Sequence, residues 1–293
     1  MPKLIINNLK KTYPNGTQAL KGIDLSFSNG MYGLLGPNGS GKSTLMRTIA
    51  TLQDADEGTI FMDELDVLKE KAEVRKILGF LPQEFDLYPK ATAYELLEHL
   101  AILKGLTDKV SRKETLNTLL ERTNLISVRN QKLGSFSGGM KQRFGVAQAL
   151  LNKPKILIVD EPTAGLDPVE RVRFLNILSE LAVDTIVIIS THIVEDVSEL
   201  CVNMAIMNEG KVLVESKPDT LIAAMNGKVW KKLVSAEELA QLEAKYKTLY
   251  SLMLMGNRVT HIYSETDPGD GFESTEPDLK DVYFYYIKGM NDV

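Results

Sequence analysis

The sequence predicts an α/β fold: a core on a parallel sheet, an antiparallel β subdomain ahead of it, a helical subdomain inserted into it, and a small C-terminal α+β appendage. Three observations predict it. Two short, all-apolar, β-branched runs, Ile156-Leu157-Ile158-Val159 and Ile186-Val187-Ile188-Ile189, suit strands buried on both faces of a parallel sheet. The strand-like run Met31 to Leu35 passes straight into a glycine-rich stretch and then a helix-forming one. Between these elements, over about 88–151, leucines recur at helical spacing (Leu96, Leu100 and Leu103; then Leu116, Leu119 and Leu120).

Taken in order, Leu4 to Leu9, Gln18 to Phe27 and Met31 to Leu35 read as antiparallel or mixed strands. Asn15-Gly16 and Asn29-Gly30 lie between them, and Asn-Gly favours the positive φ angles of a type I′ hairpin turn. A helix follows over Lys42 to Thr51. In the insert, Thr92-Ala93-Tyr94-Glu95 has the form of a capping box, and Ser111-Arg112-Lys113-Glu114 repeats it. Asn203 to Val214 reads as a hairpin turning at Glu209-Gly210. After Pro218 the pattern changes. Lys228 to Val234, Thr248 to Leu254 and Arg258 to Ser264 read as strands, with a helix from Ala236 to Lys245. The polar stretch Glu265 to Glu276 separates them from a final helix, Pro277 to Ile287. The expected division is a first domain over 1–222 and an accessory domain over 228–293.

Composition narrows the function classes. The chain has 293 residues, 44% hydrophobic and 25% charged, the balance of a soluble globular protein. A net charge of −5 gives no overall basic footprint for nucleic acid. The single cysteine, Cys201, excludes an intrachain disulfide and a cysteine-built zinc site; its apolar surroundings mark it as a small buried hydrophobe. The opening segment lacks the apolar core of a signal peptide. No apolar run approaches the ~18 residues needed to span a bilayer, so any path across a membrane is expected from another chain.

The chemistry concentrates in three motifs. Gly36-Pro37-Asn38-Gly39-Ser40-Gly41-Lys42-Ser43 satisfies G-x-x-x-x-G-K-[ST]. Its glycines let backbone N–H groups converge on phosphate oxygens, the next helix adds its positive end, Lys42 reaches the β/γ-phosphates, and the Ser43 hydroxyl suits Mg²⁺. Asp160 ends an apolar strand and Glu161 follows it, one carboxylate for the metal and one for the attacking water. Ser135-Phe136-Ser137-Gly138-Gly139-Met140 opens a helix and offers a second anion site through the Ser137 hydroxyl and the Gly138 and Gly139 amides. With the insert holding it away from its own phosphate loop, that site suits a partner chain.

Over 4–217 this set resembles the nucleotide-binding subunit of ABC transporters. The resemblance implies a P-loop NTPase core, ATP and Mg²⁺ as cofactors, and ATP hydrolysis coupled to transport. It makes Gly36 through Thr44 the Walker A loop and Ile156 to Glu161 Walker B, with Glu161 the catalytic base. It makes Gln83 the lid glutamine contacting Mg²⁺ and water, Ala164-Gly165-Leu166-Asp167 the dimer-contacting loop, His192 the switch histidine and Tyr13 the adenine-stacking aromatic. On the residues alone, Gln83 reads equally as a surface loop residue and Tyr13 as a strand aromatic. His192 is placed better, because ligands gather at strand C-terminal ends in open α/β sheets. His99 and His261 read as structural or exposed, and Trp230 as appendage core.

The family's commonest signature is Leu-Ser-Gly-Gly-Gln, and here Met140 replaces its glutamine, which puts a side-chain contact there in doubt. That Met, and the ending Pro277 to Phe284, are similar to the bacterial drug- and antibiotic-export type. The resemblance implies a membrane permease partner, a second ATP-binding subunit in a homodimer, and a peripheral place on the cytoplasmic face of a bacterial membrane. A soluble ABC-type ATPase of DNA repair or translation is the alternative. It fits less well, since the short insert lacks sustained heptads and cysteines and the chain has one phosphate loop. A sensor without turnover fits least, because Glu161 and His192 are both present.

Overall fold

The computed structural model describes residues 2–83, 85–163 and 165–290. Strands β1 (Leu4–Thr12) and β2 (Gln18–Phe27) form an antiparallel pair. Their turn is not type I′. Tyr13 O accepts from Gly16 N at 2.8 Å, so Pro14 and Asn15 hold the central positions and Gly16 takes φ 85° behind them. The proline favours a type I turn closed by a left-handed glycine.

Asn29-Gly30 makes no hairpin at all. The next strand, β3 (Gly30–Leu35), leaves the first sheet and pairs in parallel in a second one. After helix α1 (Lys42–Ile49), strands β4 (Glu57–Met62) and β5 (Leu65–Asp66) complete the first sheet in the order β2-β1-β4-β5. Helix α2 (Lys71–Ile77) then leads into β6 (Leu78–Leu81).

The insert consists of α3 (Ala93–Leu103), α4 (Lys109–Arg122) and α5 (Gly138–Ala149), with two short 3₁₀ turns. Thr92 and Glu95 form the expected capping box on α3. The second expected box is absent. Asp108 caps α4 instead, accepting from Ser111 N at 2.8 Å, and Arg112 donates to Leu106 O and Thr107 O. An aspartate three residues earlier outcompetes Ser111 as the cap because a carboxylate also favours the positive helix end.

The core sheet resumes with β7 (Ile156–Asp160), α6 (Pro168–Leu181), β8 (Ile186–Thr191), α7 (Val194–Leu200), β9 (Asn203–Asn208) and β10 (Lys211–Ser216). Its strand order is β10-β9-β3-β8-β7-β6, parallel except for the β9–β10 hairpin, where Glu209 and Gly210 both have positive φ. The all-apolar runs follow from this position. Ile156, Ile158, Ile186 and Ile188 enter the core shared with the antiparallel sheet and α1, while Leu157, Val159, Val187 and Ile189 enter the core beneath the helices. Alternate residues of one strand thus serve two cores, each worth roughly 1.5–3 kcal/mol per large side chain.

Helix α8 (Pro218–Ala224) precedes the appendage, which holds β11 (Val229–Val234), α9 (Ala236–Lys245), β12 (Lys247–Leu254), β13 (Asn257–Tyr263), β14 (Glu273–Ser274) and α10 (Leu279–Ile287). The sheet order is β12-β13-β11-β14. The polar stretch before the final helix supplies an edge strand, β14, and a buried ring, Phe272, that no apolar periodicity announced. Val234, Leu242, Ile262 and Phe272 form a small core within the appendage, with Trp230 packed against it. Helix α10 also packs on α7, α8, β9 and β10, and its Leu279 and Val282 are buried in the main core. Leu279→Ala should therefore lower unfolding stability by ~2–5 kcal/mol. Denaturant titration should show that loss, while ligand affinity at the cleft described next should be unchanged in calorimetry, because α10 lines no part of it.

Candidate functional site

Parallel pairing puts four C-terminal strand ends side by side. Leu35 is in register with Thr191 on β8, Asp160 on β7 with Ser190, and Leu81 on β6 with Val159. The residues just beyond them converge on a cleft of about 590 Å³ lined by Tyr13, Thr17, Lys21, Asn38 to Thr44, Gln83, Glu161 and Glu209 among others.

The glycine-rich loop is shaped by what surrounds it. A Cβ on Gly36 would lie 2.3 Å from Met207 O, and one on Gly41 2.5 Å from Ala19 O at φ 105°. Only glycine lets the loop pass between β9 and the β2 backbone. Lys42, 5% exposed, donates from Nζ to Gly36 O at 2.7 Å and Pro37 O at 3.1 Å, with Ser40 Oγ at 3.5 Å. Burial lowers its pKa from the ordinary lysine value, and the nearby Glu161 and Asp160 carboxylates work against that shift.

The acidic pair is held by β8. Ser190 Oγ donates to Asp160 Oδ1, and Glu161 N donates to Ser190 Oγ at 3.0 Å and to Ser190 O at 3.2 Å. Glu161 has φ 44°, a left-handed conformation that is costly for a residue with a Cβ and is held here by those bonds. Ser43 Oγ donates to Asp160 Oδ1 at 3.4 Å. Glu161 Oε2 lies 3.2 Å from its donor Gln83 Nε2 and 3.5 Å from His192 Nδ1. Gln83, Glu161 and His192 thus meet at one carboxylate oxygen. Tyr13 sits at the cleft edge, its hydroxyl 3.1 Å from Thr44 Oγ1 and donating to Gln53 Oε1 at 3.2 Å.

Ser137, Gly138, Gly139 and Asp167 are not among the residues lining this cleft. Ser137 is exposed and caps α5, accepting from Met140 N at 3.2 Å. Gly138 is exposed, while Gly139 is buried against Glu170, which pairs with Arg143. Met140 packs on the main core, so this position makes an apolar contact. Asp167 is exposed and caps α6 through Glu170 N at 2.9 Å. Ala164, expected in the same loop, lies outside the described residues. His99 is exposed on α3, and His261 bonds Asp281 Oδ1 at 2.8 Å inside the appendage; neither is among the residues lining the cleft. Cys201 is buried, and burial pushes its thiol well above the ordinary value.

Comparison with known proteins places this geometry. Residues 20–164 match the family described as "ABC transporter". The linearmycin resistance ATP-binding protein LnrL of Bacillus subtilis is 37% identical over 75% of this chain and 71% of its own length. The chain belongs to the ABC transporter family. Another relative, the Escherichia coli protein named probable multidrug ABC transporter ATP-binding protein YbhF, is 34% identical over 91% of this chain; the chain spans 47% of that protein's length. Among solved structures, the dimeric post-hydrolysis ATP-binding cassette MJ0796 bound to ADP and Pi aligns with TM-score 0.66 and 29% identity, over 73% of this chain and 98% of that one. The fold described above is that of an ABC ATPase cassette.

Sequence reading missed Lys21 and Glu209, which line this ABC cassette's cleft, and Ser190, which is buried behind the acidic pair. Lys21 and Glu209 sit in ordinary strand and turn contexts. Ser190 had one signal, its place just before Thr191-His192 at a strand end. Ser190→Ala should remove a donor from Asp160 and an acceptor from Glu161 N in a buried setting. The expected loss is ~1–3 kcal/mol of unfolding stability, measured by denaturant titration.

Proposed function

We propose that this chain is the ATP-binding and ATP-hydrolysing subunit of a membrane permease system, an exporter, and that it works through ATP-dependent pairing of two such subunits. The observation that carries the proposal is the meeting of Gln83, Glu161 and His192 beside Lys42, Ser43 and Asp160 at adjacent strand ends. The loop from Gly36 to Thr44 takes the phosphates of ATP, Lys42 places its charge on the β/γ-phosphates, and Tyr13 offers its ring to adenine. Glu161 accepts a proton from the attacking water, with Gln83 orienting that water and His192 facing the γ-phosphate. Ser43, Asp160 and Gln83 would hold Mg²⁺, and a hydroxyl with a carboxylate and an amide oxygen suits that hard cation. Bound there, the ion would neutralise phosphate charge during transfer.

Ser137, Gly138, Gly139 and Asp167 serve the nucleotide of the other subunit, which accords with the exposure of Ser137, Gly138 and Asp167 and with the absence of all four from this chain's own cleft lining. Phosphate release removes the anion joining the halves, and the insert beyond Gln83 passes the movement to the permease. Export is favoured by the names of two relatives, the linearmycin resistance protein LnrL and the probable multidrug protein YbhF. The same proposal puts the chain peripherally on the cytoplasmic face of a bacterial membrane, which accords with the bacterial relatives; among the described residues no helix is long and apolar enough to cross one. The division into an ATP-binding domain over 1–222 and an accessory domain over 228–293 belongs to the same proposal.

Glu161→Gln should retain Mg-ATP binding and lower kcat by ~10²–10⁴, the usual range for loss of a general base. Single-turnover assays test it, and a near-wild-type rate would remove Glu161 from the role. Lys42→Ala should weaken Mg-ATP binding in calorimetry, since charged hydrogen bonds of ~1.5–3 kcal/mol are lost. With Mg-ATP, Glu161→Gln should also sediment as a dimer, and adding Ser137→Arg should return it to monomer. A dimer that persists with Ser137→Arg would sink the pairing arrangement.

A further inference from the structure

A carboxylate outside the cleft ties together the three segments that bring Glu161, His192 and Asp167 into place. Asp196, in α7, is 1% exposed. Its Oδ2 accepts from Thr163 Oγ1 at 2.8 Å and from Thr191 Oγ1 at 3.3 Å. Its Oδ1 accepts from Arg171 Nε at 2.8 Å and from Arg171 Nη2. Thr163 follows Glu161 closely in the loop after β7. Thr191 is the last residue of β8, directly before His192. Arg171 lies one turn into α6, the helix capped by Asp167, whose carbonyl accepts from Arg171 N at 2.9 Å.

The geometry around His192 shows why such a tie matters. The imidazole is 55% exposed, so packing around the ring does little to place it. Its position follows from the backbone on either side. Thr191 Oγ1 donates to Asp196 while accepting from Ile193 N at 2.9 Å, which spans His192 from both neighbours. Glu161 has the same need, because its left-handed backbone is a strained state that its surroundings must hold. A buried carboxylate with four donor contacts from three elements is a stiff joint, since releasing any donor leaves charge uncompensated in a low-dielectric site. Helix α7, which carries Asp196, also packs against α10 of the appendage.

We infer that Asp196 is a positioning residue for ATP hydrolysis, locking the Glu161 loop, the His192 segment and the start of α6 into one arrangement without touching the nucleotide. The inference rests on the roles proposed above for Glu161 and His192. It sets Asp196 apart from a residue that only stabilises the fold, because its loss should slow turnover more than it weakens binding.

The test uses the full chain with Asp196→Asn, Thr163→Val and the double substitution. Each is measured in single-turnover hydrolysis at saturating Mg-ATP, in calorimetric Mg-ATP titration, and in thermal unfolding. Asp196→Asn should lower kcat by about tenfold or more, toward the ~10²-fold that a 1 Å misplacement can cost. Its Mg-ATP affinity should stay within about threefold, because the Gly36–Thr44 loop is untouched. Thr163→Val, which removes one hydroxyl at nearly equal volume, should slow kcat in the same direction and by less. The double variant should be no slower than Asp196→Asn, as expected of groups acting as one unit. If Asp196→Asn does not fold, Thr163→Val carries the comparison alone. Folded variants with wild-type kcat, or with kcat and affinity reduced equally, would overturn the inference, as would fully additive effects. Glu161→Gln is run alongside. Hydrolysis surviving there fails the proposed catalytic base, whereas loss there with unchanged rates in both Asp196→Asn and Thr163→Val fails only the positioning role.

Discussion

The parallel register of β3, β8, β7 and β6 is the constraint on which the site depends. Each strand ends where its neighbour ends, so the Lys42 loop, the Ser190-Thr191-His192 segment, the Asp160-Glu161 pair and Gln83 emerge together. None of these four segments reaches the others through local chain geometry; Gln83 and Glu161 are separated by the whole helical insert. A slip of one residue would swap the faces of every strand side chain, sending Ile158 and Ile188 into the core that now takes Leu157 and Val187. The two-sided core therefore protects the register, and the register protects the chemistry.

Serine 190 shows how that constraint becomes local. Paired with Asp160 across β7 and β8, it donates to one carboxylate and accepts from the amide of the next residue. The left-handed turn at Glu161 follows from these bonds, and it allows two consecutive acidic residues to take different tasks. In an extended continuation the side chains of Asp160 and Glu161 would alternate across the sheet. With the turn, Asp160 faces Ser43 while Glu161 faces Gln83 and His192.

The appendage is joined to the cassette through α10, and none of its residues is among those lining the cleft. Its own small core holds β11, β13 and α9 together, yet Leu279 and Val282 of α10 are buried in the main core. Tyr285 and Phe284 complete the junction by packing on Tyr263 and Tyr250. The change of sequence pattern near Pro218 is thus bridged in the fold by continuous packing. Among the elements that α10 packs against is α7, which carries Asp196.

By itself the sequence determined the phosphate loop, the acidic pair, the serine-glycine helix start and the succession of strands and helices. It could do so because each rests on local physics: glycine where a side chain would clash, apolar runs for buried strands, and a carboxylate or hydroxyl at a helix cap. The same local logic erred where other choices were in reach. Asn29-Gly30 had turn chemistry but joined two sheets, Asp108 took the cap expected near Ser111, and Pro14 redefined the first turn. Phe272 and β14 were hidden in a polar stretch, since one aromatic and two edge residues leave no periodicity. Tertiary structure alone decided that Glu161 adopts a left-handed backbone, that Met140 packs against the core, and that Asp196 joins Thr163, Arg171 and Thr191. Each of those depends on atoms brought together by strand register and helix packing across distances along the chain that no short-range pattern spans.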